Sequence, residues 1–536
     1  MSNQPTDPTL ARNFTDVFAV HGADPEVLAF AMAKYSRSAL SMRESLREIS
    51  AQKAEQFLNT FYFQYGHRSI ADLAHIAFAV ERLSLMAAVI LEDEQRWDGQ
   101  ERSTRYQNFM QSGWYYPDFG SDEASKDLYG RTLRSLIDTN QETTPAVQEV
   151  LRQRVPKPEA MKADGYERTL KARAFDVARY LLPLATNTSL GQIVSARTLE
   201  TQVSRLLSHP AAEIRDLGAK LRDAATGPAW NVSAQAAQEF VERLAAYEQK
   251  NGGTDAELAV EAARLFTREV KTAPTLVKYA QPNPYEMESR RELGQAAAEF
   301  LKGQPIAEAP LVDLVERTET LEVEVAATLL YSASHHPYRQ IRDVVAELPA
   351  ARVNEIIDIG LRHRGRHDEA LRPFHAGDAV RFDLLMDIGA FRDFHRHRRC
   401  TQIIQGFTTA HGYETPGSGD LPAGVDILAE AGMLGAFRAA MDDAHSASDK
   451  IAQRPAPEAE QSALYLLPLG TRIRSLFKMD FAEAQYISEL RSAPAGHFSY
   501  RRVAWEMYKA IERQHPALAK YVRVTDFTKP IDILQR

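Results

Sequence analysis

The residues best suited to chemistry lie in one short basic stretch, FRDFHRHRRCTQIIQGFTTAHGY, from Phe391 to Tyr413. Its first nine residues contain a single acid, Asp393, and six basic side chains: Arg392, His395, Arg396, His397, Arg398 and Arg399. Because the chain has a formal net charge of -8, such a cluster needs an anionic partner. A guanidinium group binds phosphate through paired hydrogen bonds. The stretch predicts a phosphate-binding site, with a solvated basic helix end as the alternative.

The segment just before the cluster, VRFDLLMDIGAF at 380–391, is too apolar to be a solvated tail. It predicts a buried strand followed by the start of a helix. The arginines would then project from the end of a packed element. Such an element could hold them rigidly against an anion.

A second polar motif, DGQERSTRYQNF, occupies residues 98–109. Ser103 could cap a helix, and Arg105 could form an ion pair with Glu101. Alternatively, the hydroxyl and the guanidinium could bind a phosphate together. The motif alone leaves both interpretations open.

Bulk composition excludes several classes of protein. With 536 residues, 44% of them hydrophobic, the chain is long enough for two or more cores. Its acidic balance argues against a general nucleic-acid binder. No apolar leader and no run of about eighteen apolar residues occurs, so we expect a cytoplasmic protein without a membrane span.

The single cysteine, Cys400, excludes an intrachain disulfide and any multi-cysteine metal site. We expect a small packed residue here rather than a nucleophile. His395, His397 and His411 could suggest a metal, but the neighbouring arginines repel a dication. The sequence therefore predicts no metal site.

The chain also repeats itself. RYLLPLAT at 179–186 returns as LYLLPLGT at 464–471, an offset of 285 residues, and Lys34-Tyr35-Ser36 returns as Leu330-Tyr331-Ser332 at an offset of 296. Similar offsets predict tandem copies of one domain.

Local patterns predict some elements of each copy. In the first we expect helices over 24–64 and a strand at 74–84 with a helix after it. In the second we expect a strand and a helix start at 380–389. Between them, five prolines from Pro274 to Pro310 predict a linker with short helices.

Together these motifs resemble the flavin-dependent thymidylate synthases, whose signature reads R-H-R-x-x-S-x-N-E-x-S-x-R-Y. The head of the signature, R-H-R, stands at 396–398, and its tail, with glutamine for asparagine, at 100–106. Each copy lacks the other half. Asp93-Glu94-Gln95 replaces R-H-R in the first copy, while Gly406 and Thr408 replace the serine and arginine in the second.

The resemblance implies an α/β fold of the α+β type, with two tandem copies that are each a mainly antiparallel sheet with surrounding helices. It also implies a helix, a strand and two helices over 174–223 in the first copy, and a strand and helix over 471–491 with a last core helix over 496–512 in the second. We expect a first copy over 1-265 that keeps the tail, a linker region over 266-315, and a second copy over 316-536 that keeps R-H-R.

The resemblance also implies a reaction, the methylation of dUMP to dTMP with methylenetetrahydrofolate, FAD and NADPH. Arg491 is the catalytic candidate, because a guanidinium can stabilise negative charge on a uracil ring. The candidates for binding the nucleotide are Glu101, Ser103, Arg105, Arg179, Arg396 and Arg491. Those for binding the flavin are Arg396, His397, Arg398, His67, Ser69, Ser195 and Arg197.

Because the lost halves are complementary, we expect sites only where a first copy meets a second, in a homodimer that mimics the family's tetramer. Whether the two copies at a site come from one chain is not readable from the sequence. Asp393 stands where the family commonly has glutamine, which bears on specificity for dUMP. The alternatives are a related flavoenzyme acting on another pyrimidine or folate, and a non-catalytic flavin or nucleotide binder.

Overall fold

The structure is a computed structural model that describes residues 22–34, 68–104, 112–251, 257–277, 280–316, 318–365, 368, 370–375, 380–417, 426–456, 458–519 and 522–534. Contacts divide the chain into two compact units. The smaller unit comprises Met1–Ile76, Ser195–Arg197 and Asp223–Tyr279. The larger unit comprises Ala77–Val194, Thr198–Arg222 and Ala280–Arg536.

Helices and strands alternate along the first half of the chain. Its elements are α1 (Pro25–Lys34), β1 (His75–Ser84), α2 (Leu85–Glu92), β2 (Asp98–Glu101), α3 (Glu123–Arg154), α4 (Ala163–Ala178), β3 (Asn187–Ser195), α5 (Ala196–Leu207), α6 (Ala212–Thr226), α7 (Ala234–Lys250), α8 (Glu257–Phe266) and α9 (Pro284–Phe300). Short 3-10 helices cover Arg68–Leu73 and Arg179–Leu181.

The second half continues in the same manner. Its elements are β4 (Val312–Leu314), α10 (Leu321–Tyr331), α11 (Tyr338–Ala346), α12 (Ala350–Leu361), β5 (Val380–Asp387), α13 (Ile388–Phe394), β6 (Thr401–Ile404), α14 (Ile427–Glu430), α15 (Leu434–Ala452), α16 (Ala459–Leu464), β7 (Arg472–Met479), α17 (Phe481–Ser492), α18 (Phe498–Gln514) and α19 (Pro516–Ala519). A 3-10 helix covers Arg372–Phe374.

The fold class predicted from the sequence is confirmed. One sheet has the strand order β1-β3-β2 and the other the order β4-β5-β7-β6. The strands pair antiparallel in β2–β3, β4–β5, β5–β7 and β6–β7. The predicted strand–helix pairs also form, as β1–α2 and β3–α5 in the first copy and β5–α13 and β7–α17 in the second.

The strands β5 and β7 form the centre of the four-stranded sheet. They pair along their full length, from Val380 opposite Met479 to Asp387 opposite Arg472. Nearly all their side chains are buried, including several charged ones. Arg474 lies 3.0 Å from Asp383, and Lys478 lies 3.1 Å from Glu324. A buried charge without such a partner would strongly disfavour folding.

Both copies use the same turn from strand to helix. Ser84 caps α2 by accepting a hydrogen bond from the Ala87 amide at 2.9 Å, and Asp387 caps α13 by accepting one from the Ala390 amide at 2.7 Å. These caps satisfy amides that the first helical turn leaves without a partner. The two turns therefore end in equivalent short helices, whose last residues lead into 93–95 and 396–398.

The two copies share a hydrophobic core. One buried cluster joins Leu136, Leu170 and Tyr180 of the first copy to Phe437 and Met441 of the second. The copies are thus packed together within one chain. Among the described residues, no helix is both long and apolar enough to cross a membrane.

One element differs from the expectation. The region expected to hold short helices contains α9, which has 17 residues. Pro284 occupies the first turn, where a missing amide hydrogen costs nothing, and Asn283 caps the helix. The proline therefore starts this helix rather than breaking it. Of the helices predicted over 24–64, the part at 35–64 lies outside the described residues.

Candidate active site between the two copies

The short helix α13 carries the basic cluster. Its apolar residues are buried, and Arg392, in its last turn, is buried with them. Arg396 follows just beyond the helix end and is about one third exposed, at 37%. The prediction that the arginines project from the end of a packed element is confirmed.

The tail of the signature reaches this cluster from the first copy. Glu101 is the last residue of β2, and its side chain is 2% exposed. Its carboxylate forms an ion pair with Arg392 and lies 3.9 Å from Arg396. Burial alone lowers the pKa of Arg392, but Glu101 outweighs this effect and raises it. Glu101 of the first copy therefore meets the arginines of the second copy within one chain.

Arg398 packs against the first copy in a different way. Its guanidinium lies 4.3 Å from the ring centroid of Trp97, which indicates a cation–π contact. Its Nε and Nη2 atoms are buried and find no hydrogen-bond partner among the described residues. Burial lowers the pKa of this guanidinium. Arg398 is thus held in place with two donor atoms free for a ligand. We call Trp97, Glu101, Arg392, Arg396 and Arg398 the composite cluster.

His397 connects R-H-R to α17. The Nε of Arg491 donates a hydrogen bond to Nε2 of His397 at 2.8 Å, and Glu483 lies 3.5 Å from Nδ1 of the same ring. Burial lowers the pKa of His397. A neutral ring with its proton on Nδ1 matches both contacts, because Nε2 must accept from Arg491. His397 therefore orients the Arg491 side chain.

Arg179 approaches from the end of α4. Its side chain is 2% exposed, and its Nη1 lies 3.7 Å from a carboxylate oxygen of Asp393. Within the part of the chain that the structure describes, its Nε and Nη2 atoms have no hydrogen-bond partner. Asp393 belongs to α13, so this contact also joins the two copies.

The sequence interpretation missed two residues at this site, Trp97 and Glu92, and it named Arg392 only as a member of the basic cluster. Glu92 is the last residue of α2. The Glu92 side chain is buried with its Oε1 atom unpartnered. Burial and the nearby Glu101 raise its pKa to about 7, against the pull of Arg396, Arg392 and Arg398. The sequence signal that could have pointed to Glu92 was a carboxylate at the end of an otherwise apolar helix.

The remaining predicted residues divide into three groups. Ser103 lies two residues beyond β2. Arg105 and His67 lie outside the described residues. Ser69 and Arg197 belong to the smaller unit with the buried Ser195, and there Arg197 lies 3.1 Å from Asp72.

The residues that replace R-H-R in the first copy are engaged by arginines. Asp93 forms an ion pair with Arg372, and Glu94 lies 2.8 Å from Arg205. Burial alone raises the pKa of Asp93, but Arg372 and His395 outweigh it and lower the pKa to about 2. At the position where the second copy has R-H-R, the first copy therefore has acids that are paired with arginines of the same chain.

Cys400 is buried, as expected of a packed residue. Its thiol donates to the backbone oxygen of His397 at 3.1 Å. Among the described residues, no group of three His, Cys, Asp or Glu side chains could hold a metal ion.

Comparison with known proteins gives matches in both halves. The model of the family "Thymidylate synthase complementing protein" matches residues 18–227 and again residues 312–517. The chain is 28% identical to a UPF0159 protein of Chlamydia pneumoniae over 552 residues, which cover 96% of this chain and 92% of that protein. A flavin-dependent thymidylate synthase of Clostridium tetani is 27% identical over 177 residues, covering 33% of this chain and 67% of its own length.

Among solved structures, the chain matches the flavin-dependent thymidylate synthase of Helicobacter pylori complexed with FAD and dUMP. It covers 38% of this chain and 89% of its own, at 16% identity and a TM-score of 0.25. That score is too low to position any residue. The two family matches, by contrast, agree with the tandem copies indicated by the repeated motifs.

Proposed function

The chain belongs to the thymidylate synthase complementing protein family as a tandem duplication, and we propose that it is a flavin-dependent thymidylate synthase with one composite site per chain. The proposed reaction methylates dUMP to dTMP with methylenetetrahydrofolate and NADPH. The observation that carries the proposal is the contact of Glu101, from the tail, with Arg392 and Arg396 around R-H-R. Each copy supplies the half that the other lacks.

The arginines of the cluster fit an anionic cofactor such as FAD. Arg398 keeps two buried donor atoms without a partner, and such atoms are costly unless a ligand or water satisfies them. Arg396, His397 and Arg398 would hold the flavin, with Ser69, Ser195, Arg197 and His67 as further candidates. When bound, the flavin supplies the hydride chemistry.

Arg491 is proposed to stabilise negative charge on the uracil ring. Its Nε is already engaged with His397, so the guanidinium is oriented before any substrate arrives. Fixed charge of this kind contributes most where water is excluded. The neutral imidazole of His397 accepts the hydrogen bond without adding a second positive charge beside the arginine.

The nucleotide phosphate is assigned to Arg179, Ser103 and Arg105, and Glu101 would contact the nucleotide from the tail. Arg179 retains unpartnered nitrogen atoms for this purpose. The reverse cleft, where Asp93 and Glu94 replace the arginines, is proposed to be inactive because its acids would repel a phosphate. A homodimer would then contain two sites where the family's tetramer has four.

The test combines cofactor content with activity. Purified protein should carry FAD, seen in its absorbance, and should form dTMP from dUMP. It should also restore growth of a thymidine-requiring host. Arg399 provides the matched control for R-H-R, because it lies in the same loop but is 64% exposed and pairs with Asp480 at 2.9 Å. FAD binding without dTMP formation would favour a related flavoenzyme with another pyrimidine or folate substrate, and absence of FAD would refute both.

A further inference from the structure

The side chain of Arg179 is held between two acids. Asp393 lies 3.7 Å away, and burial raises the pKa of Asp387 to about 6 against the opposing pull of Arg179. A Cβ atom on Gly389 would lie 3.2 Å from Nη2 of Arg179 and 3.0 Å from Oδ1 of Asp387. The guanidinium therefore packs closely over the first turn of α13, and a Cβ atom at this position would require the neighbouring side chains to shift by a few tenths of an ångström.

The two acids differ in how they are satisfied. Asp387 accepts hydrogen bonds from the Ala390 amide at 2.7 Å, from the Tyr180 hydroxyl at 3.1 Å and from Ser499. It is fully engaged as the cap of α13. Asp393 is 20% exposed and lies beyond hydrogen-bond distance of Arg179, so it balances the charge without occupying the donor atoms.

We propose that Asp393 is a resident anion of the phosphate subsite, which competes with the substrate phosphate for Arg179 and thereby sets the affinity of the site for nucleoside monophosphates. The inference rests on the proposed function, because that function assigns the phosphate to Arg179. A phosphate that reaches Nε and Nη2 of Arg179 brings negative charge next to Asp393. Like charges at this separation repel each other strongly when water is largely excluded.

The competition affects the phosphate and not the rest of the nucleotide. A pyrimidine nucleoside without a phosphate places no charge beside Asp393. The wild-type chain should therefore discriminate only weakly between deoxyuridine and dUMP. Replacing the carboxylate by an amide, either of the same size in Asp393→Asn or one methylene longer in Asp393→Gln, removes the competing charge and leaves Arg179 in place.

The experiment measures dissociation constants of dUMP and deoxyuridine by calorimetry, on the full chain with excess FAD. The proteins are wild type, Asp393→Gln, Asp393→Asn and the control Asp443→Asn, which removes one charge from an exposed position of α15. Asp393→Gln should bind dUMP at least about tenfold more tightly, with deoxyuridine affinity changed less than about threefold. The control should match wild type for both ligands. Asp393→Asn repeats the test if the glutamine variant does not fold.

Unchanged or weaker dUMP binding in both Asp393 variants would overturn the inference, as would the absence of any binding to all four proteins. The proposed function fails separately, through loss of FAD or of dTMP formation by the wild type. The change in dUMP affinity can be measured in either case, because it does not require turnover.

Discussion

The turn after β1 and the turn after β5 share one local structure and carry opposite charges. Each strand ends at a capping residue, Ser84 or Asp387, and leads into a short buried helix. Beyond α2 the chain presents Asp93 and Glu94, while beyond α13 it presents Arg396 and Arg398. The strand, cap and helix can therefore pack in the same way whichever charged residues follow the helix. A duplicated chain can thus keep the same fold in both copies while only one copy keeps the arginines.

The partners of the two turns complete this comparison. The acids of the first turn are paired with Arg372 and Arg205, so their negative charge is balanced inside the protein. The arginines of the second turn are only partly balanced, since Arg398 keeps unpartnered donors. A stable fold tolerates such donors at a cost of about 1–3 kcal/mol each, which a bound ligand can offset. The first turn is therefore balanced by ion pairs within the fold, and the second turn carries the proposed binding site.

Arg491 and Arg205 give the largest expected contrast. Arg491→Ala should lower kcat by about 10²–10³-fold with FAD still bound, because it removes fixed charge beside the reacting ring. Arg205→Ala should leave kcat within about threefold and instead destabilise the fold, because it leaves Glu94 buried without its partner. Steady-state kinetics and urea unfolding of both variants check this. Equal losses of kcat in the two variants would contradict the assignment of catalysis to the second copy and of a structural ion pair to the first.

Arg398 and Arg399 provide a contrast within one loop. Arg398→Ala should weaken FAD binding by about 10–100-fold, because it removes a buried guanidinium packed on Trp97. Arg399→Ala removes a surface ion pair, which is worth about 0–1 kcal/mol, and should leave FAD affinity within about twofold. Fluorescence titration with FAD measures both. Similar losses would show that general positive charge, and not position, holds the cofactor.

Glu92 should make stability depend on pH. Its folded-state pKa is raised to about 7, so the folded chain binds this proton more tightly than the unfolded chain, and stability falls as the pH rises from about 4.5 to 7. Glu92→Gln should remove that loss and stabilise the protein at pH 8 by about 1–3 kcal/mol. Urea unfolding at pH 5 and pH 8 gives the comparison. A variant less stable than wild type at pH 8 would contradict it.

The contribution of Asp93 to stability changes with pH in the opposite direction. Its folded-state pKa is lowered to about 2, so the stability it contributes is present above about pH 4 and is lost as the pH falls through 2. Asp93→Asn should lower the free energy of unfolding by about 1–2 kcal/mol at pH 7. It should also make stability fall less steeply with pH on the acid limb, below about pH 4. Acid titration followed by circular dichroism measures the effect. An unchanged acid limb would show that Arg372 does not stabilise the ionised form.

Cys400→Ala should have the smallest effect. The thiol is buried and donates to the His397 backbone oxygen, and the proposed flavin route needs no thiol addition to the ring. Turnover should stay within about tenfold of wild type, a change of roughly 1.4 kcal/mol in the barrier. A covalent nucleotide adduct on Cys400, detected by mass spectrometry, would refute the assignment.

The sequence predicted what depends on local pattern. Apolar patterns predicted β1–α2 and β5–α13, the resemblance implied β7–α17, and the repeated Y-L-L-P motif predicted the two copies. It could not predict which side chains meet across the copies. Trp97 lies about 300 residues from Arg398 in the chain, and Arg372 is similarly far from Asp93. Such contacts depend on how the two copies pack, which leaves no periodic signal along the chain.

The Asp393 contact shows the same limit at a single residue. The sequence showed an acid where the resemblance expects glutamine, but not that this acid faces Arg179, more than 200 residues away. Because of this contact, replacing glutamine by aspartate places an anion where it can compete with the substrate phosphate for Arg179.

The most direct test of the account is the number of FAD molecules bound per chain. The two turns predict one site, because, of the two, only the turn after β5 is followed by R-H-R, and the equivalent acids of the first copy would repel a phosphate. Titration of cofactor-free protein with FAD, followed by absorbance and calorimetry, should saturate at about one FAD per chain. Saturation at two would show that the acidic cleft also binds the cofactor. That result would contradict the division of roles between the copies.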